Sequence, residues 1–176
     1  MTKFRELLPL YAVVFLGFLG YALTITLFIP MLMNKHFLFL PTETSTSLRA
    51  SLSGLLLAMY PLGQFIGSPI IGNFSDYYGR KKILLMSLCA CALGFVGMAF
   101  SIELNLVSLL FFSAFFTGLC ESNMAISQSV IADRVTNPTE KTVLIGYVYS
   151  ACSLGYVVGP LLGGSIGHFF GFDIPF

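Results

Sequence analysis

Long apolar runs separated by short polar breaks dominate the chain, and the strict alternation of a transmembrane strand is absent from them. Five runs reach the length of about 20 mostly apolar residues that spans a bilayer. They are Leu8–Met33, Leu48–Gly72, Ile83–Ile102, Leu104–Ala132 and Val143–Gly171. Lipid accepts only backbone whose polar groups are satisfied internally, so these runs predict helices. The short connectors make neighbouring helices antiparallel. The expected class is an all-α, multi-pass membrane protein with five transmembrane helices. The basic start, Lys3 and Arg5, resembles that of a signal peptide, but the apolar run behind it exceeds 20 residues and no A-x-A-like site follows. A retained span is the expectation.

Composition agrees. Only 10% of the residues are charged and 56% are hydrophobic, with a mean hydropathy of +0.87, against about 25% charged in a soluble domain. The bilayer is therefore the first expected partner. A net charge of +1, with no basic run beyond three residues, excludes a nucleic-acid partner. Cys89, Cys91, Cys120 and Cys152 sit inside apolar runs without CxxC spacing, and read as packing residues. His36 and His168 stand near predicted helix ends, so neither a metal site nor a cofactor is expected.

Charge sets the expected orientation. Lys3, Arg5, Arg80, Lys81, Lys82, Arg134 and Lys141 fall on one side and Lys35 and Arg49 on the other. The richer side, with the N-terminus, is expected in the cytoplasm. The short loops suggest a bacterial inner membrane. On that topology "NFS" at Asn73–Ser75 faces away from glycosylation machinery and is a chance match.

Two glycine-bearing stretches carry more than packing. "IIGNFSDYYGRKKILL" fits G-x-x-x-D-x-x-G-R-K-K, with Gly72, Asp76, Gly79, Arg80, Lys81 and Lys82 at its fixed positions. The positive-inside rule accounts for the bases but not for Asp76 or the glycines. Gly79 permits a turn with positive φ, and Gly72 would let another helix approach closely. Asp76 can pair with Arg80 or sit at a helix N-terminus. The second stretch, "GYVYSACSLGYVVGPLLGG", places Gly146, Gly155, Gly159, Pro160, Gly163 and Gly164 on the last span. A glycine every fourth residue, from Gly155 to Gly167, makes a smooth packing stripe, and Pro160 adds a kink.

Glu121 is the one charged residue deep within a span. Ser113, Thr117, Glu121 and Gln128 would lie near one face of a continuous fourth helix, toward a cavity or a partner helix. Such a residue costs at least ~2.5–3.5 kcal/mol on insertion scales and marks a functional site by default. It fits an acid that holds a proton in one state and releases it in another. A structural hydrogen bond between helices is the alternative. Tyr21, Thr24, Tyr60 and Gln64 are further candidates for a cavity lining.

The loop motif resembles the signature loop of the major facilitator superfamily, and the glycine–proline pattern resembles the helix-five motif of its proton-coupled drug antiporters. "VIADRVTNPTEKT" looks like the tetracycline-exporter branch. The resemblance covers essentially the whole chain, as the first five of twelve helices. It implies two six-helix bundles around a midplane cavity, with the loop's acid and arginine latching one access state against the other half. The chain would then be an incomplete N-terminal bundle over 1–176, acting on a small-molecule substrate and protons. Alone it would be inactive, its missing C-terminal half a partner if separately encoded, and the last span's glycines short of a facing helix. Two departures are visible. Ala114 stands where the family often has an arginine, and Tyr21 where the tetracycline branch has an acid.

A "GGSIG" match to a hydrolase nucleophile elbow lies inside a helical run rather than at a strand–turn–helix junction, so no enzyme is expected. Two other readings stay open: a non-transporting membrane interaction module (a split-gene half or a degenerate remnant), and export of a metabolite or siderophore without proton exchange.

Overall fold

The computed structural model describes the backbone of residues 2–33, 40–41 and 43–169 and the side chains of 5–33, 40–41 and 43–165. Six helices follow one another: α1 (Thr2–Met33), α2 (Thr46–Tyr78), α3 (Arg80–Glu103), α4 (Val107–Cys120), α5 (Asn123–Arg134) and α6 (Pro138–Phe169). Five helical stretches are long and apolar enough to cross a membrane, with α4 and α5 together forming the fourth. No strand occurs among the described residues.

The helices overrun the apolar runs that announce them. α2 continues six residues past Gly72 to Tyr78, and α3 starts at Arg80 rather than Ile83. Hydropathy marks only the hydrocarbon depth, whereas a helix can carry polar side chains on into the headgroup region. The expected end at Gly171, and Lys35 and His36, lie outside the described residues. α2 starts at Ser45, whose hydroxyl accepts a hydrogen bond from the Leu48 amide. It ends one residue before α3 begins, and Gly79 makes that break with φ 96°, a conformation that glycine adopts freely.

Packing divides into two seams. α1 lies mainly on α6, while α4 lies on α2 and α3. Leu7, Tyr11, Val14 and Phe18 of α1 meet Ile131, Leu144 and Val148 in one apolar cluster. Phe28, Met31, Leu56, Met98 and Leu110 form the other.

Glycines set the distance in both seams, in a way that corrects the expectation for α6. Its stripe has a facing helix, and that helix is α1. A Cβ on Gly155 would come 2.8 Å from the Phe15 carbonyl oxygen, one on Gly159 would strike Ala22, and one on Gly163 would lie 3.1 Å from Thr26. Gly146 and Gly164 meet nothing, and Gly72 likewise faces open space among the described residues. Gly167 has no described surroundings. α6 runs through Pro160 as one helix. The tighter approach joins α2 to α4, a contact that the glycine patterns did not announce. Gly63 lies on the Phe115 carbonyl, Gly67 on the Leu119 carbonyl, and Gly118 on the Tyr60 carbonyl.

Arg49, expected as a loop cation, is 1% exposed. It donates to the carbonyl oxygens of Leu32 (3.1 Å), Pro41 (2.8 Å) and Leu40 (3.4 Å). The last carbonyls of a helix lack intrahelical donors, and the guanidinium fork satisfies one at the end of α1 while holding the chain that follows.

Gly67→Ala is expected to cost about 1–3 kcal/mol, because the new methyl meets rigid backbone. Gly146→Ala, with nothing within 4 Å, leaves stability unchanged or slightly higher. Thermal unfolding of the two variants in detergent compares them directly.

Candidate functional site

The fourth span is not the continuous helix that its hydropathy suggests. α4 stops at Cys120, Glu121 takes an extended conformation (φ −80°, ψ 97°), Ser122 follows at φ −124°, and α5 restarts at Asn123. No proline or glycine marks the break. Ser and Asn are instead residues that favour helix starts over helix interiors. Breaking a helix inside a membrane frees carbonyls, which lipid cannot satisfy. Here protein does so. The Ser87 hydroxyl of α3 donates to the Cys120 carbonyl, the Cys91 thiol to the Thr117 carbonyl, and the Glu121 amide to Thr117 and Gly118.

The break turns Glu121 inward, where it is 1% exposed. Tyr60 of α2 donates its hydroxyl to Oε2 at 2.6 Å, and Asn123 donates Nδ2 to Oε1 at 3.1 Å. Gly17 of α1 lies so close that a Cβ there would strike Oε1. No cation pairs with the carboxyl among the described residues. Three polar atoms beside the break, Ser122 Oγ, Asn123 Oδ1 and Ser127 Oγ, are buried without a hydrogen-bond partner.

Tyr21 joins this cluster by stacking on Tyr60 at 4.1 Å, and Tyr156 of α6 meets Tyr21 edge-on at 6.0 Å. Thr24 lines a small space with Tyr21 and Tyr60, its hydroxyl spent on the Gly20 carbonyl. Thr117 is fully buried, donates to the Ser113 carbonyl at 2.7 Å and packs on Gly94, so it serves the α3–α4 contact. Gln128 does not share the face of Glu121, because the break resets the helix between them. It lines a separate cavity of about 810 Å³ with Gln64, Pro61, Phe18, Tyr149 and Ser122. Ser122 is thus next to Glu121 in the chain and on the wall of that cavity.

At one end of the bundle a second group forms. Asp76 lies near the C-terminal end of α2, not at a helix N-terminus, and its carboxylate pairs with Arg80 at 2.8 Å. Arg80 also pairs with Asp133 of α5, which connects the α2–α3 corner to the fourth span. Lys81 is exposed. Asp133 was missed in the sequence because it follows an apolar run without a spacing that ties it to Arg80. Asn123 was missed because an unbroken helix would turn it away from its neighbour two residues back.

The family model for the Major Facilitator Superfamily matches residues 8–176. The chain belongs to that superfamily. It is 39% identical over 114 residues to the tetracycline resistance protein, class H, of Pasteurella multocida, covering 65% of this chain and 28% of that one. Against multidrug resistance protein 2 of Bacillus subtilis (strain 168) it is 29% identical over 163 residues, covering 93% of this chain and 37% of the relative. The crystal structure of the human organic anion transporter MFSD10 (TETRAN) superposes with a TM-score of 0.67 at 26% identity, covering 89% of this chain and 41% of that one. The chain therefore spans well under half the length of each of these relatives.

The pairs around Arg80 are more than half exposed on their acid side, at 62% for Asp76 and 57% for Asp133. Asp133→Asn is expected to lower stability by less than about 1 kcal/mol, and added salt should shrink the difference further. Unfolding midpoints at low and high ionic strength check this.

Proposed function

We propose that the chain forms one wall of a proton-coupled efflux transporter that works by alternating access. The second wall would come from further membrane helices, in the same polypeptide or separately encoded. In this reading 1–176 is the N-terminal bundle, and Glu121 is the group that exchanges protons. The observation that carries it is a buried acid at a helix break, met by the neutral donors Tyr60 and Asn123 and by no cation among the described residues. An ionised carboxylate removed from water without a counter-charge is costly, so the carboxyl would ionise where water or a cationic substrate reached it. Relatives named for tetracycline and multidrug resistance support an amphipathic drug-like substrate. The cavity between Gln64 and Gln128, with Phe18 and Tyr149 on its walls, offers amide donors and acceptors on an apolar lining, as small-molecule sites do. Arg80 with Asp76 and Asp133 would act as the latch that Gly72, Gly79 and Lys81 surround.

In proteoliposomes with an imposed pH gradient, the chain alone is expected to move no substrate. Supplied with the remaining helices it should do so, and Glu121→Gln should abolish coupling to the gradient. Infrared spectra of the isolated chain give an independent reading, since a carboxylic C=O band that titrates should vanish in Glu121→Gln. Efflux that proceeds equally with and without the gradient would favour export without proton exchange, and gradient-driven efflux undiminished in Glu121→Gln would remove Glu121 as the coupling group. A complex that never transports would favour an interaction module.

Seven cations against two support a cytoplasmic N-terminus and a cytoplasmic corner at Gly79. A cysteine introduced at Tyr78, which is 56% exposed, should react with membrane-impermeant maleimide only in inside-out vesicles.

A further inference from the structure

Between α2 and α3, at the end of the bundle that carries Arg80, lies an open-sided groove of about 460 Å³. Ile71 and Phe74 of α2 and Ile83 and Met86 of α3 make its walls apolar. Ser87 and Cys120 also border it, but the Ser87 hydroxyl is spent on the Cys120 carbonyl. Two polar ends remain, Tyr78 and Lys82, at the mouth. Arg80 occupies both carboxylates nearby, Asp76 and Asp133. No carboxylate among the described residues pairs with Lys82.

The dimensions are those of one leaflet. Lys82 is the third residue of α3 and Ala90 the deepest lining residue on that helix. Eight residues of helix cover about 12 Å, against about 15 Å for half of the hydrocarbon thickness. A molecule with its charge at the mouth would lie along the apolar walls without crossing the midplane. A soluble anion would leave those walls wet or empty. A helix from among those described would bury Lys82 and need an acid to meet it, and none of their carboxylates pairs with Lys82. Neither fits both features, whereas a charged headgroup with an acyl chain does.

We propose that this groove binds one anionic phospholipid of the bilayer, its phosphate held by Lys82 and Tyr78 and an acyl chain lying along Ile71, Phe74 and Met86. The site needs only the membrane and the described helices, so it stands apart from the transport reading. Its charge preference belongs to Lys82, since a basic side chain at an anionic surface attracts headgroups, while the amphipathic Tyr78 ring suits the interface.

The chain contains no tryptophan, so a single one reports its own surroundings. Phe74→Trp and Met86→Trp place it in the groove, at positions 50% and 58% exposed. Leu93→Trp, at a 68% exposed position on the same helix, samples the bilayer away from it. In bilayers of phosphatidylcholine, brominated phosphatidylglycerol should quench the groove reporters with roughly fivefold higher affinity than brominated phosphatidylcholine. The preference should disappear with Lys82→Gln and be absent at Leu93→Trp. Excess inorganic phosphate should not displace the lipid. Equal quenching by both lipids at both groove positions overturns the proposal, as does a preference that survives Lys82→Gln. Displacement by phosphate would make the site an anion site. Tryptophans shielded from both lipids would mean that protein fills the groove.

Discussion

The approach of α2 to α4 through bare backbone is the constraint on which the rest depends. Gly118 rests on the Tyr60 carbonyl, and Gly63 and Gly67 rest on carbonyls of α4. In lipid no hydrophobic force draws apolar helices together, so association relies on van der Waals contact, and small residues allow it. The consequence here is positional. The glycine that admits the Tyr60 backbone lies three residues before Glu121, so the same contact that joins the helices delivers the Tyr60 hydroxyl to the carboxyl. A methyl at Gly118 would therefore disturb packing and the acid's hydrogen bond at once.

The break between α4 and α5 is compatible with a membrane only because the α3 side chains reach it. Ser87 and Cys91 supply donors where the α4 ladder stops, which makes α3 more than a lipid-facing filler. Its Gly94 lies against Thr117 and its Gly97 against Ser113, so α3 lies against α4 as well as capping it. Where three helices meet in this way, main-chain polar groups are covered, and the orphaned side-chain atoms of Ser122, Asn123 and Ser127 become the exception. Buried polar atoms without partners are rare in folded proteins and usually mark an absent water, ion or function. These three lie beside Glu121, the one buried carboxyl among the described residues.

How far the sequence carried the description follows from what each signal measures. The loop motif and the glycine–proline pattern carried the superfamily. Hydropathy reports depth in the bilayer, so the five spans were legible. It does not report backbone direction, so "CESN" within an apolar run passed as helix although Ser and Asn both favour a restart. Glycine spacing marked the α6 stripe correctly as a packing face but could not name α1 as its occupant. Gly63, Gly67 and Gly118, without a common pattern, went unnoticed. The pairing of Arg80 with Asp133 and the burial of Arg49 were unreadable for one reason. Both join residues through folding that composition and loop counting do not see.

Arg80 with its two acids and the lone Glu121 are handled in opposite ways, and the difference bears on the proposed mechanism. At the exposed end, Arg80 is shared between Asp76 and Asp133. Water screens such pairs, so they are weak individually and can separate and re-form at little cost. Inside, Glu121 meets the Tyr60 phenol, the Asn123 amide and, at 4.0 Å, the Cys91 thiol, with no cation beside it among the described residues. Neutral donors of this kind hold the carboxyl in place without committing it to one charge. A Tyr hydroxyl can turn to donate or accept, and an Asn amide offers an oxygen as well as nitrogens, so either protonation state can be hydrogen-bonded by the same two residues. A cation at the same distance would accommodate only one of them.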